Sequence, residues 1–327
     1  MSVPSPTMRT LIIGVLVGAS LLCASRADES QIARIGALVL PLGTSPFEEG
    51  FRDGLREADY IEGKNIVIEW RRFGVANEEL RSLAVDLVRS KVQVIVAYGT
   101  PAARAVLEAT TTIPVVFASG APLASGLATS LARPDRNGTG LAGSSAELTA
   151  KHLELLHQIA PRARRIAYLT NPSNPITVPQ LQEAQQAAQM LGLQLVIFDA
   201  RNVNELDAAL RSIHRNVADG ILIAPDPLLD ANRSKIANML RKARLPAISP
   251  FRQYHDQGVL MSYGADLREV GRKMANYVVR IIKGAKPSDL PIEQMSKYEL
   301  VIDLRMANEL RIKVPQELLL RADELVR

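Results

Sequence analysis

The sequence predicts an α/β protein of two doubly wound parallel-sheet lobes joined by a three-crossover hinge. Short apolar runs rich in β-branched residues alternate with segments of helical period, which is typical of parallel strands covered by helices on both faces. The alternation starts near Ala33 and restarts after Gly143. A chain of 327 residues is also long for a single core. Two α/β units in tandem therefore fit both the pattern and the length.

The first half combines four predicted strands with three amphipathic helices. Each strand is a nearly continuous apolar run, so we expect a sheet that is buried on both faces. The strands are predicted at 35–40, 65–70, 92–97 and 113–117, and the helices at 47–58, at 78–89 and from Pro101 onward.

The second half shows the same alternation of predicted helices and strands. Helices are predicted at 148–159, 178–191, 203–214 and 231–244, and strands at 165–169, 193–198, 220–223 and 246–249, the last strand of that half. The junction 139–145 is small and polar, which suits a hinge and equally an ordinary βα loop.

The C-terminal region complicates a simple division into two lobes. A long amphipathic helix at 267–283 resembles the covering helices of the first half, and one more strand is expected at 300–303. If the chain returns to the first half for this helix and then crosses back, it passes between the lobes three times. We therefore expect one lobe from 28–143 plus 251–287 and the other from 144–250 plus 288–327.

The N-terminus has the features of a secretory signal. Arg9 precedes an apolar stretch, 11–22, that is too short to span a membrane, and Ser25-Arg26-Ala27 offers small residues for cleavage. We expect a signal peptide at 1–27 and a periplasmic location. Lipoprotein anchoring at Cys23 is the less favoured alternative, because Leu22 is bulky where that cleavage requires a small residue.

The charge of the mature chain bears on its binding partners, and its cysteine content bears on how it is stabilised. The formal charge of +5 falls to +3 after cleavage, because Arg9 and Arg26 are lost and no acidic residue is. No tract of like charges suggests binding to nucleic acid or to an anionic membrane. The mature chain would contain no cysteine, so its stability would come from its core and not from disulfides.

Motifs for catalysis are missing from the sequence. It contains no HExxH, GxSxG or GxxxxGK[ST] pattern and no Cys/His cluster. We therefore expect no metal, no cofactor and no enzymatic activity. The histidines are His152, His157, His214 and His255.

Candidate ligand-binding residues follow the predicted strands, because open parallel sheets bind ligands beyond the carboxyl ends of their strands. They carry hydroxyl, amide, carboxylate or aromatic groups or are glycines. The candidates are Thr44, Ser45, Tyr98, Gly99, Thr100, Ser119, Gly120, Asn171, Asn174, Asp226, Phe251 and Tyr263. Turns and helix caps use the same residue types. Asp226, between two prolines, could accept hydrogen bonds from a ligand ammonium or cap the following helix.

Seven segments in order give the chain a resemblance to a known family. They are FRDGLREADYIEGKNIVIEW (51–70), YGTPAA (98–103), SLARPDRNGTGLAG (130–143), NPSNP (171–175), DPLLDANR (226–233), LMSYGADL (260–267) and IIKGAKPSDLPIEQMSKYELVIDL (281–304). With these segments the sequence resembles the ABC-transporter substrate-binding proteins related to the tryptophan- and tyrosine-binding proteins of bacterial uptake systems. The resemblance runs from about Ile35 to the C-terminus.

The resemblance implies a type I periplasmic-binding fold that closes on a small solute and delivers it to an ABC permease in the inner membrane. It implies a monomeric receptor without catalysis, whose ligand is an aromatic amino acid or a related small aromatic or carboxylate compound. The alternative is a sensory module that reports solute occupancy to a membrane kinase or chemoreceptor. The family usually has Gly-Asp-Pro where this chain has Gly120-Ala121-Pro122. Ala121 thus removes one carboxylate that could bind a ligand ammonium.

Overall fold

The computed structural model describes residues 32–39, 45–73, 77–143 and 145–327. The expected signal peptide, Cys23 and Thr44 lie outside these residues. The strands are β1 (Ala33–Val39), β2 (Ile66–Arg72), β3 (Val94–Tyr98), β4 (Val115–Ser119), β5 (Gly138–Ala142), β6 (Arg165–Thr170), β7 (Gln194–Asp199), β8 (Gly220–Ile223), β9 (Ala247–Ser249), β10 (Met261–Ala265), β11 (Glu293–Gln294), β12 (Tyr298–Asp303) and β13 (Glu324–Val326).

The helices occupy the connections between these strands. They are α1 (Pro46–Glu57), α2 (Asn77–Arg89), α3 (Thr100–Ala109), α4 (Ser145–Ile159), α5 (Thr177–Met190), α6 (Val203–Ser212), α7 (Pro227–Ala231), α8 (Arg233–Ala243), α9 (Leu267–Ile282), α10 (Leu304–Leu310) and α11 (Gln316–Arg321). Short 3-10 helices cover Arg252–Gln257 and Pro287–Asp289.

Two sheets with the same winding organise the molecule. The first has the strand order β11-β5-β4-β3-β1-β2, and the second has the order β13-β12-β10-β9-β8-β6-β7. All described neighbours in the first sheet are parallel, whereas β10 and β12 in the second are antiparallel. The orders β2-β1-β3-β4-β5 and β7-β6-β8-β9-β10 are equivalent. The prediction of two doubly wound, mainly parallel sheets is therefore confirmed.

Alternation along the strands places apolar side chains on both faces of the first sheet. Ile35, Ala37 and Val39 pack with residues of α1 and α9, whereas Leu38 packs with residues of α2 and α3. All four side chains are buried. This two-sided burial is the reason that the strands read as continuous apolar runs.

The chain crosses three times between the first lobe, which we define as the first sheet with its helices, and the second lobe, which contains the second sheet. The crossings fall between β5 and α4, between β10 and α9, and between β11 and β12. As the sequence suggested, α9 packs against α1 in the first lobe. The expected boundary at residue 251 precedes β10, which pairs with β9 and β12 in the second sheet. The chain thus returns to the first lobe only at Asp266.

The contact between α1 and α9 depends on glycines. A Cβ atom at Gly50 would lie 1.9 Å from the carbonyl oxygen of Arg268, and one at Gly271 would lie 2.1 Å from that of Phe47. The two helix backbones therefore approach more closely than alanine would permit. At the edge of this contact, Arg268 Nη2 lies 2.6 Å from Asp53 Oδ2.

β10, β12 and β13 extend the second sheet beyond the strand predicted at 246–249, and of these three only β12 was expected, as the strand at 300–303. The junction predicted at 139–145 contains β5, which pairs with β4 along its whole length. The small residues of β5 permit this pairing because little space is left for larger side chains beside β4. Thr139 is fully buried there and donates a hydrogen bond from Oγ1 to the carbonyl of Leu290 at 2.6 Å.

Candidate functional site

A cleft opens between the two sheets at the carboxyl ends of their strands. Its volume is about 900 Å³, including the solvent space at its mouth. The first lobe contributes Tyr98, Gly99, Thr100, Pro101, Ala118, Ser119, Gly120, Gly143, Leu267, Val270 and Met295. The second lobe contributes Leu148, Thr149, His152, Asn174, Gln180, Pro225, Asp226, Pro227, Pro250, Phe251, Gly264, Ala265 and Tyr298. Both lobes thus supply residues that directly follow parallel strands, where such sheets bind ligands.

The start of α3 forms the polar part of the first-lobe wall. Gly99 precedes the helix with φ 96° and supplies no side-chain cap. Thr100 Oγ1 and Ser119 Oγ lie 2.8 Å apart and share a hydrogen bond. Because a helix start carries partial positive charge and N–H donors, this wall favours an anionic or strongly accepting ligand group.

Asp226 is the buried carboxylate of the opposite wall, 3% exposed. Its Oδ1 accepts from the backbone N–H groups of Leu228 and Leu229 at 2.8 and 3.4 Å and from Asn171 Nδ2 at 3.3 Å. Its Oδ2 accepts from Asn174 Nδ2 at 2.9 Å. Burial raises the pKa of Asp226, whereas these hydrogen bonds oppose the rise. Of the two alternatives considered from the sequence, the capping role is the one observed, at the start of α7.

Two helices of the second lobe bring further polar groups to the cleft. His152 on α4 is buried, and its Nε2 lies 2.6 Å from the carbonyl oxygen of Tyr263. Since a carbonyl only accepts, Nε2 carries the proton. Burial lowers the pKa of His152 to about 4, so this ring is neutral at physiological pH. Gln180 on α5 is 1% exposed and lines the same wall.

Aromatic rings stand on both sides of the cleft. The ring centroid of Tyr98 lies 4.7 Å from that of Phe47 in the first lobe. In the second lobe the ring of Tyr263 contacts Tyr298 and His152, at centroid distances of 6.0 and 6.1 Å. Tyr98, Tyr298 and Phe251 line a mainly apolar cleft in which a flat solute would find stacking partners, and Phe47 and Tyr263 pack behind them.

The model of the family described as ABC transporter substrate binding protein matches residues 43–326. The chain belongs to this family. It is accordingly a solute-binding protein of an ABC system, with a small molecule as ligand and a membrane permease as partner, and the family is extracytoplasmic. The match does not favour the sensory alternative. In the part of the chain that the structure describes, no helix combines the length and apolar character needed to cross a bilayer.

Three comparisons illustrate what this substrate-binding protein resembles. A tyrosine-binding protein of Clostridioides difficile (strain R20291) is 24% identical over 318 residues, which cover 92% of this chain and 91% of the relative. A conserved domain protein of Vibrio cholerae shares the fold with a TM-score of 0.84 at 26% identity, covering 90% of this chain and 99% of that one. An ABC domain from Streptococcus pneumoniae, in complex with L-Trp, has a TM-score of 0.83 at 24% identity and the same coverage.

The structure brings most of the sequence-predicted site residues to the cleft of this substrate-binding protein. Those that line it are Tyr98, Gly99, Thr100, Ser119, Gly120, Asn174, Asp226 and Phe251. Ser45 lies instead beside a neighbouring cavity, where its Oγ accepts from the N–H of Phe47 and caps α1. Asn171 supports Asp226, and Tyr263 contacts the lining residues His152 and Tyr298. These roles make Asn171 and Tyr263 supporting residues of the cleft wall.

Sequence reasoning missed the residues that reach the cleft from helices. Thr149, His152 and Gln180 are the polar examples, and each lies on a helix face that is mostly apolar. Among the described residues, no group of three or more His, Cys, Asp or Glu side chains is arranged to hold a metal ion.

Asp230, next to the cleft wall, should make stability depend on pH. Asp230 is 1% exposed, and burial raises its pKa to about 6, against the opposing charge of Arg233. A raised pKa means that the folded state holds the proton more tightly than the unfolded chain. This stabilisation is complete below about pH 4 and is lost as the pH rises through about 6. We expect Asp230→Asn to exceed the parent by up to about 3 kcal/mol in unfolding free energy above pH 7, and by much less at pH 4.

Urea unfolding of the parent and Asp230→Asn between pH 4 and pH 8 measures this difference. Asp219→Asn is the control of opposite sign, since the hydrogen bond from Arg165 lowers the pKa of Asp219 to about 2. The control should be no more stable than the parent anywhere in this range. A constant difference between the parent and Asp230→Asn across the range would refute the expectation.

Proposed function

We propose that this protein is the extracytoplasmic receptor of an ABC importer and closes its lobes on an aromatic amino acid or a related small aromatic or carboxylate-bearing solute. The observation that carries the proposal is the cleft itself, because it joins the helix start of α3 on one lobe to aromatic and amide side chains on the other. The helix start suits a carboxylate group of the solute, and the aromatic side chains suit a flat ring. The family match supports transport.

Three crossings between the lobes suit a hinge that opens and closes around the ligand. Closure is favoured only to the extent that the ligand binds the closed state better than the open one. A solute that touches Thr100 on one lobe and Phe251 on the other would meet this condition, because only closure brings both walls onto it. A permease that recognises the closed form would then import solute only when the receptor is loaded.

The proposal also covers processing, location and assembly. The signal peptide is cleaved after Ala27, so the mature receptor is periplasmic. The receptor is a monomer and has no catalytic activity. The solute resembles the ligands named for two relatives, tyrosine for the protein of C. difficile and L-Trp for the domain of S. pneumoniae. The lobes are 33–143 plus 266–295 and 144–265 plus 296–327, which follow the sheets and crossings described above.

Ligand-induced melting shifts test the proposal. We expect an aromatic amino acid or an aromatic acid, added at about 100 times its Kd, to stabilise the mature protein by about 2.7 kcal/mol and to raise its Tm by about 5 °C or more. Thr100→Val removes the hydroxyl that bonds Ser119 and should reduce the shift. Thr111→Val, at an exposed position, is the matched control. No shift with any aromatic solute would overturn the ligand class.

Uptake measurements test the importer role separately. Proteoliposomes that contain the cognate permease should accumulate the solute only when the loaded receptor is present. Accumulation at the same rate without the receptor would overturn this part of the proposal.

A further inference from the structure

Gln180 is a polar side chain of the cleft whose hydrogen-bonding capacity is unused. Its side chain is 1% exposed, and neither Nε2 nor Oε1 has a hydrogen-bond partner among the described residues. The neighbouring amide of Asn174, in contrast, donates to Asp226 and accepts from the N–H of Ile176. A buried amide without partners costs free energy, so a residue that only filled this space would be apolar. A ligand in the cleft would supply both missing partners.

The surroundings of Gln180 favour a neutral ligand group. No Lys or Arg side chain occurs among the described lining residues, and the carboxylate of Asp226 is already held by four protein donors. His152, on the helix that packs against α5, is neutral because burial lowers its pKa. A charged group beside Gln180 would therefore be desolvated without a nearby counter-charge.

We infer that Gln180 is the specificity residue of the cleft and pairs with a neutral amide-type edge of the solute, an N–H beside a C=O. The glutamine amide presents one donor and one acceptor side by side, and a carboxamide, lactam or ureide presents the complementary pair. A carboxylate offers acceptors alone and would face Oε1 with its own negative charge. An apolar substituent leaves both atoms of Gln180 unpaired. The inference rests on the proposed function, since it requires an aromatic solute in this cleft.

Matched ligands test this assignment by isothermal titration calorimetry. The probes are phenylalanine and benzoate, each with a carbamoyl, carboxy or methyl group at the para position. We expect the parent protein to bind the phenylalanine series, the benzoate series or both. Within a series that binds, the carbamoyl compound should have a Kd at least about tenfold lower than the methyl and carboxy compounds. Gln180→Met keeps the length of the side chain and should reduce this preference to about threefold or less. Gln182→Met, at an exposed position of the same helix, should retain it.

Other binding results would contradict the assignment of Gln180 as the specificity residue. Equal binding of all three para-substituted members by the parent overturns the inference and leaves the proposed function intact. A preference for the carboxy member, or a carbamoyl preference that persists in Gln180→Met, also overturns the inference alone. Failure of every probe to bind overturns the inference, and the melting shifts with unsubstituted aromatic solutes then decide whether the proposed ligand class stands.

Melting of the ligand-free variants separates specificity from packing. Gln180→Met replaces unpaired polar atoms by apolar ones of similar length, so its Tm should equal or exceed that of the parent. A fall in Tm together with an unchanged carbamoyl preference would assign Gln180 to packing and overturn the inference.

Discussion

Asp226→Ala should lower the free energy of unfolding by at least about 4 kcal/mol and abolish solute binding. The carboxylate accepts from two backbone N–H groups at the start of α7 and from the amides of Asn171 and Asn174. All four donors lie in a buried environment, and alanine would leave them without this acceptor. Each buried donor that loses its partner costs about 1–3 kcal/mol. The wall formed by Asn174 and Pro225 would lose its support at the same time.

Chemical unfolding and ligand-induced melting shifts measure the two effects. Asp226→Asn is the informative control, because the amide keeps one acceptor oxygen for the cap of α7 and places an NH₂ group against Asn174. It should therefore lose about 1–2 kcal/mol and retain weakened binding. If Asp226→Ala instead unfolds like the parent and binds solute with the same affinity, the buried network does not hold the cleft wall.

Most of the architecture was predictable because strands buried on both faces are visible as apolar runs. The segments around Ile35, Val94 and Val115 belong to this class, and each forms a strand of the first sheet. The strand β5, Gly138–Ala142, was not recognised because four of its five residues are Gly, Thr or Ala. Its place in the sheet is determined by its neighbour β4 and by close packing, neither of which is visible in a local pattern.

The candidate site was predictable where it follows strands and not where it lies on helices. The residues after β3, β4 and β8 could be named because parallel sheets bind ligands at those ends. Gln180 lies instead on a helix face with Thr177, Ala184, Ala187 and Ala188, where a long polar side chain interrupts a stripe of small residues. That interruption was the available signal. The role of Gln180 could not be inferred from that signal alone, because it depends on the contact of α4 with α5 and on the unpaired amide. Both are visible only in the structure.

Gly264→Ala is expected to destabilise the protein by about 3 kcal/mol or more and to distort the cleft. Gly264 lies in β10, two residues before the chain returns to the first lobe, and a Cβ atom there would lie 1.7 Å from the carbonyl oxygen of Pro250. Because the obstacle is backbone and not a flexible side chain, either β10 or the segment after β9 must shift. Both residues line the cleft, so a shift moves its wall.

Urea unfolding and the ligand-induced shift in Tm measure these effects against Gly220→Ala in the same sheet. A Cβ atom at Gly220 would have its closest contacts, Ile166 Cδ1 and the carbonyl oxygen of Pro246, at an ordinary 3.4 Å. The control should therefore be as stable as the parent or up to about 1 kcal/mol more stable, since alanine suits a strand better than glycine does. Equal stability of the two variants would mean that the second crossing tolerates a side chain at Gly264. Loss of binding in Gly264→Ala at an unchanged fold would instead link this crossing to closure of the lobes.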